Sequence, residues 1–167
     1  GCDSLDSLYT WVDAAYGVWL NMRSQTGGCM SMGLGMVNCR SSKQKLNTKS
    51  STESEIVGMS DYMPYNLWFK NFMGAQGYEI KKNVVYQDNQ SAMKMEINGR
   101  HSCTGNSRHI DIQYFFTKDR IEKGEMSVEY CPTYRMVADY FTNPLQGKPY
   151  NFFRDIIMGY KHIRDLS

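Results

Sequence analysis

Four carboxylates far apart in the chain are the residues best suited to chemistry. Asp13 closes an apolar run, Glu55 opens a helical stretch, Asp88 ends a short apolar run and Asp139 lies in a late apolar segment. Acids that scattered elements carry to one sheet edge make a metal site, because hard carboxylate oxygens suit a hard divalent cation. Each acid also has a purely structural role open to it. Thr52-Glu53-Ser54-Glu55 fits a capping box, in which Glu55 only satisfies its own helix terminus. Asp88 before Asn89 fits a helix N-cap, and Asp139 among Met136, Val137, Tyr140 and Phe141 fits a helix flank facing water. Asp13 fits a turn acid after its strand. Singly, both sets of roles stay open; three of the four lie at element ends or starts that one sheet edge could bring together, which favours a metal site.

The elements that must position them follow from apolar spacing. Residues 8–12 predict a strand ending at Asp13, residues 23–28 supply turn chemistry, and strands follow near 29–34 and 36–39 as an antiparallel meander. Ile56, Met59, Met63 and Leu67 recur at helical spacing, widened by Trp68 and Phe72, and predict a long amphipathic helix that ends near 74–77. A strand at 83–87 and a helix at 89–97 come in the order of a βαβ unit. A polar loop at 98–108 precedes a helix from Ile110 to Ile121, a strand at 126–130 and a helix at about 134–141. The order βββ, α, β, α, α, β, α predicts an α/β domain, a mixed sheet covered by helices, with no internal repeat. Residues 149–157 carry large apolar groups at helical spacing, either a docked terminal helix or a contact for another domain.

Length and composition bound the class. The chain has 167 residues, 41% of them hydrophobic, enough for one core of ordinary size. Nineteen basic against seventeen acidic residues leave a net charge of +2, so any polyanion contact must come from a local patch. Cys2, Cys29, Cys39, Cys103 and Cys131 show no C-x-x-C zinc spacing and predict reduced thiols. No apolar run reaches the roughly 18 residues of a membrane span, and the start lacks a signal-peptide pattern. The expectation is a soluble intracellular domain, monomeric when isolated, without a membrane partner. A start without Met, on a polar acidic stub, predicts a segment cut from a longer polypeptide.

The segments VDAAYG, SSKQKLNTKSSTESEIVG, VVYQDNQSAM, SRHIDIQYFFTKDRI and CPTYRMVADYFTNPL resemble, in order and spacing, the ribonuclease H domain of copia-type LTR retrotransposon polyproteins. The resemblance covers about residues 9–145. It implies an RNase H-like fold with a five-stranded mixed sheet, three antiparallel strands then parallel additions, flanked by helices. On that pattern residues 1–8 are a linker stub and 146–167 a helical extension of the same domain. It also implies cleavage of the RNA strand of RNA/DNA hybrids during reverse transcription, with the reverse transcriptase domain of the same polyprotein as partner. The expected location is the cytoplasmic virus-like particle or the nucleus. The implied cofactor is a pair of Mg²⁺ ions, with Mn²⁺ as substitute, held about 3.5–4 Å apart so that one serves the attacking water and one the departing oxygen.

Carried over position by position, Asp13 matches the acid that bridges both metals, Glu55 the first-helix acid in preference to Glu53, Asp88 the fourth-strand acid and Asp139 the last-helix acid. Two departures stand out. Asp13-Ala14-Ala15 lacks the second acid that such domains often carry, and the histidine that in many relatives precedes the last acid and is linked to proton transfer or product release is missing before Asp139, so Tyr134 or Arg135 would have to serve that step, or turnover is slow. A catalytically weak module that tethers hybrid to a polymerase is the alternative function.

Holding a hybrid requires phosphate contacts without sequence readout. The run Ser41, Ser42, Lys43, Gln44, Lys45, Asn47 and Thr48 beside Glu55 is the candidate, its hydroxyls and amides suited to 2′-hydroxyls as well. Arg108, in the loop at 98–108, is a second candidate. His109 is read as a capping or packing residue.

Overall fold

A computed structural model describes residues 2–98 and 108–166, without the side chains of 97, 98 and 108–114. Five strands, β1 (Ser7–Ala15), β2 (Gln25–Ser31), β3 (Met36–Lys43), β4 (Lys82–Gln87) and β5 (Ser127–Tyr130), form one sheet in the order β3-β2-β1-β4-β5. β1, β2 and β3 pair antiparallel, while β4 joins β1 and β5 joins β4 in parallel. The mixed five-stranded sheet expected from the sequence is therefore present. Its helices are α1 (Ser51–Ala75), α2 (Gln90–Asn98), α3 (Arg108–Glu122) and α4 (Gly147–Met158). None of the described helices is long and apolar enough to cross a membrane.

β1 is central and buried on both faces, which fixes where its odd and even residues point. Leu8 and Val12 enter a core with Met59, Tyr62 and Met63 of α1, whereas Trp11 enters a second core with Met136, Val137, Phe153 and Ile156. Asp13 shares the face of Trp11. Inside the first layer Asn66 of α1 donates to Thr10 (2.8 Å) and to Asn83 (2.9 Å), and Asn83 returns a bond of 2.7 Å. These buried amides fix the seat of α1 on β1 and β4, since a slip would leave them unpaired at a cost of about 1–3 kcal/mol each.

Three expectations are corrected. Gln25–Gly28 are strand, not turn: Thr26, Gly27 and Gly28 pair with Ala14, Asp13 and Val12. Gly28 is there because a Cβ would lie 2.3 Å from the Tyr62 ring, so glycine marks close approach and not chain reversal. β3 runs to Lys43, because Arg40 to Lys43 pair with Gly28 to Gln25. The helix expected at 134–141 is two 3₁₀ turns, Thr133–Arg135 and Val137–Phe141, interrupted at Met136, whose ψ of 88° leaves the helical region. The terminal apolar segment is docked: Phe153 and Ile156 of α4 are buried in the second core. At the other end β1 already begins at Ser7, and Asp3 pairs with Arg164 at 2.9 Å. The described cysteines, Cys2, Cys29, Cys39 and Cys131, are free thiols.

Candidate metal centre

Four separate elements deliver the four acids to one end of the sheet. Asp13 comes from the last third of β1, Asp88 follows the end of β4, Glu55 lies in the first turns of α1, and Asp139 sits in the 3₁₀ turn Val137–Phe141. One oxygen each of Asp13, Glu55 and Asp88 lie within 4.8 Å of one another. Asp139 joins through Asp13, to which it is hydrogen-bonded.

The capping question at α1 resolves in favour of a free Glu55. Ser50 is the N-cap and accepts from the backbone N–H of Glu53 at 3.1 Å, while the Glu53 carboxylate accepts from the backbone N–H of Lys49. Glu53 therefore does the capping. Glu55, two residues on, is buried and turned to the sheet.

Asp13, Glu55 and Asp139 are each more than nine-tenths buried. Burial is the first cause that pushes all four carboxyls up, and their mutual repulsion is the second for Glu55 and Asp139. Asp13 rises to about 6 and Asp139 to about 7, while Glu55 and Asp88 rise as well. Neutral donors oppose this: Thr142 Oγ1 donates to Asp13, Gln87 Nε2 to Glu55 at 3.4 Å, and Thr133 Oγ1 to Asp88 at 3.3 Å. Among the described residues, no basic side chain draws these four carboxyls down. Clustered buried acids without a cationic side chain fit a divalent cation, which supplies the missing charge and takes oxygen ligands.

Thr142, Gln87 and Thr133 escape a search for chemistry in the sequence because none can ionise. Their only signal is that each falls in the same distinctive segment as one of the four acids. Gln87 is held in turn, its Oε1 accepting from the backbone N–H groups of Asp88 (2.9 Å) and Asn89 (3.0 Å). One amide thus orders the β4 end and reaches Glu55.

The expected binding run divides. Lys43, Lys45 and Asn47 are exposed and Ser42 half-buried. Gln44 and Thr48 are corrected to interior roles: Gln44 Nε2 donates to Thr26 Oγ1 (3.0 Å) and the Ser54 carbonyl (2.8 Å), and Thr48 pairs with Ser24 at 3.0 Å. Ser41 accepts from Gln25 and donates to the Phe141 carbonyl at 2.6 Å, tying β3 to the turn that carries Asp139. The side chains of Arg108 and His109 and the loop at 99–107 lie outside the described residues. Tyr134 is 70% exposed, with the Arg135 guanidinium 5.2 Å from its ring centre.

Comparison with known proteins agrees with this fold. The chain is 26% identical over 157 residues, 94% of its length, to the retrovirus-related Pol polyprotein from transposon TNT 1-94 of Nicotiana tabacum. It is 28% identical over 154 residues to the Pol polyprotein from transposon RE2 of Arabidopsis thaliana. It spans only 12% and 10% of the length of these relatives. No family model matches it. Among solved structures, RNase H1 of the halophilic archaeon Halobacterium salinarum NRC-1 superposes with a TM-score of 0.59 at 13% identity, covering 82% of this chain and 95% of that one. LC11-RNase H1, solved in complex with an RNA/DNA hybrid, superposes at 0.54 with 11% identity, covering 82% of this chain and 94% of that one.

Proposed function

We propose that this chain, an RNase H-like domain related to the Pol polyproteins of retrotransposons, is a metal-dependent endoribonuclease that hydrolyses the RNA strand of RNA/DNA hybrids. The observation that carries the proposal is the convergence of Asp13, Glu55, Asp88 and Asp139 from four elements, three of them buried and Asp88 half-buried, with no basic partner among the described residues. The RNase H1 structure with bound hybrid and the Pol relatives support the same substrate and a setting in reverse transcription.

Asp13, Glu55, Asp88 and Asp139 would hold two Mg²⁺ ions, with Mn²⁺ as substitute. When bound, the ions supply Lewis-acid stabilisation of the phosphate and a water of lowered pKa. The protein's own part is preorganisation. Thr142 holds one Asp13 oxygen, Gln87 fixes the Glu55 carboxylate and Thr133 fixes Asp88, so the ligand oxygens are aimed before anything binds. Burial keeps water from screening the acids, which strengthens their preference for a compact dication. Exposed Lys43, Lys45 and Asn47 lie beside the start of α1, where a backbone held for cleavage would pass. The reverse transcriptase domain of the parent polyprotein is the proposed partner.

The test incubates the chain with labelled RNA/DNA hybrid and Mg²⁺ beside an Asp13→Asn variant. Cleavage by the native chain and a loss of at least about a thousandfold in the variant are expected, as for removal of a central electrostatic group. Equal cleavage by both would refute the assigned mechanism. Hybrid binding without cleavage would make the domain a tether.

A further inference from the structure

On the sheet face opposite α1, the corner formed by β1, β4 and β5 opens into a recess of about 460 Å³. Its size is that of sites for small organic ligands. Tyr9, Trp11 and Tyr86 form its floor, with the Trp11 and Tyr86 rings 5.2 Å apart. Lys82 lies over the Tyr9 ring at 5.3 Å, and Arg135 closes the far side. Asp3, the one acid in the lining, is matched by Arg164 at 2.9 Å. Lys82 and Arg135 have no carboxylate partner among the described residues, and Arg135 Nε is buried without an acceptor. Glu129, exposed on β5, stands across the β4–β5 ladder from Tyr86 and is an opposing charge at the strip.

A second recess shares Tyr130 and Pro132 with the first and continues past Tyr134 and Lys148 to Asp139. The two make one strip that leads away from the four acids, and β1 alone advances about 20 Å between Asp13 and Ser7. Half-buried Tyr9 and Tyr86 and exposed Tyr130 and Tyr134, alternating with cations that have no carboxylate partner among the described residues, are the chemistry of a single-strand platform: rings stack bases of any sequence and cations track phosphates.

We infer that this strip holds a single-stranded run of nucleic acid continuing from the strand bound at the acids, with bases on Tyr130 and Tyr86 and phosphates on Arg135 and Lys82. This rests on the phosphodiesterase function proposed above and names its substrate more closely, as hybrid carrying an unpaired tail.

Fluorescence anisotropy on the cleavage-blocked Asp13→Asn chain compares blunt hybrid, hybrid with a 5′ or 3′ RNA tail, and free single-stranded RNA. A tail of one polarity is expected to tighten binding about tenfold, two stacked bases together being worth at least that much. Adding Lys82→Glu and Tyr130→Ala should erase the gain, leave blunt-hybrid affinity unchanged and lower the salt slope by about 0.7 for the lost phosphate. A tail that adds nothing, as when the recess seats a protein segment, overturns the inference, as does an equal loss for blunt and tailed substrates. Should native chain fail to cleave blunt hybrid while free RNA binding still needs Lys82 and Tyr130, the enzymatic function falls and the strip stands.

Discussion

Gly27 stands directly across the β1–β2 ladder from Asp13, and its missing side chain leaves the space in which the Val137–Phe141 turn and Thr142, the donor to Asp13, pack against the sheet. A Cβ at Gly27 would lie 2.7 Å from Thr142 Cγ2 and 2.8 Å from the Ala138 carbonyl. Neither can yield without moving the Val137–Phe141 turn, since one is backbone and the other belongs to the residue that holds Asp13.

Gly27→Ala is therefore expected to cost about 1–3 kcal/mol of stability and, separately, to raise the Mg²⁺ concentration needed for cleavage. Gly28→Ala is the matched control. Its Cβ would meet the Tyr62 ring at 2.3 Å on the opposite face, so it should destabilise without altering metal dependence. Thermal melts and Mg²⁺ titrations of both variants decide this, and identical metal dependence would break the link between Gly27 and the centre.

Glu53 and Glu55 separate cleanly. Glu53→Ala removes the oxygen that accepts from the Lys49 N–H, at a cost of about 1 kcal/mol, and should leave cleavage of folded protein intact. Glu55→Gln should abolish cleavage while stabilising the metal-free domain, because it removes one of several repelling buried charges. Comparing each variant's melting temperature with its turnover tests both. Reversed effects would assign the cap and the ligand the other way round.

Stability against pH follows from the raised carboxyls. Asp13 and Asp139 ionise near 3.8 in the unfolded chain but at about 6 and about 7 in the fold. The folded state thus binds more protons between those values, and stability falls as pH rises through them. The contribution is complete below about pH 4 and lost above about pH 7, on the order of 3 kcal/mol for Asp13 alone. Melts in chelator should show a less stable domain at about pH 8 than at about pH 5, with added Mg²⁺ raising stability far more at the higher pH. Stability that climbs with pH in chelator would mean the acids do not crowd one another.

Much of this was legible in the residues, for identifiable reasons. Strand and helix order followed from period, because β1 and α1 bury stripes that burial alone dictates. The four acids stood out because they can ionise. Gly27 and Gly28 read as a turn, since a sequence does not distinguish glycine that reverses a chain from glycine that admits a neighbour. Gln44 and Thr48 read as surface polar groups, yet Gln44 spans from β2 to α1 as an interior tie, a role only the tertiary fold creates. The break at Met136 is likewise tertiary. Helical spacing continues through it, but Asp139 can face Asp13 only if the backbone turns there.

Thr142 supplies the remaining test. Its hydroxyl donates to Asp13 and is the largest influence that favours the charged form of the central acid. Thr142→Val keeps the shape that packs on Gly27 and removes the donor, so the Asp13 proton should be held more tightly and compete better with a cation. A hydrogen bond to a charged group is worth about 1.5–3 kcal/mol, which predicts a rise of roughly tenfold or more in the Mg²⁺ needed for half-maximal cleavage. The rise should be larger near about pH 6, where proton and cation compete, than near about pH 8, where Asp13 is already ionised. Thr142→Ser keeps the donor and should keep the metal dependence at both values. A Thr142→Val profile equal to that of the native chain at both pH values would leave Thr142 with a packing role alone.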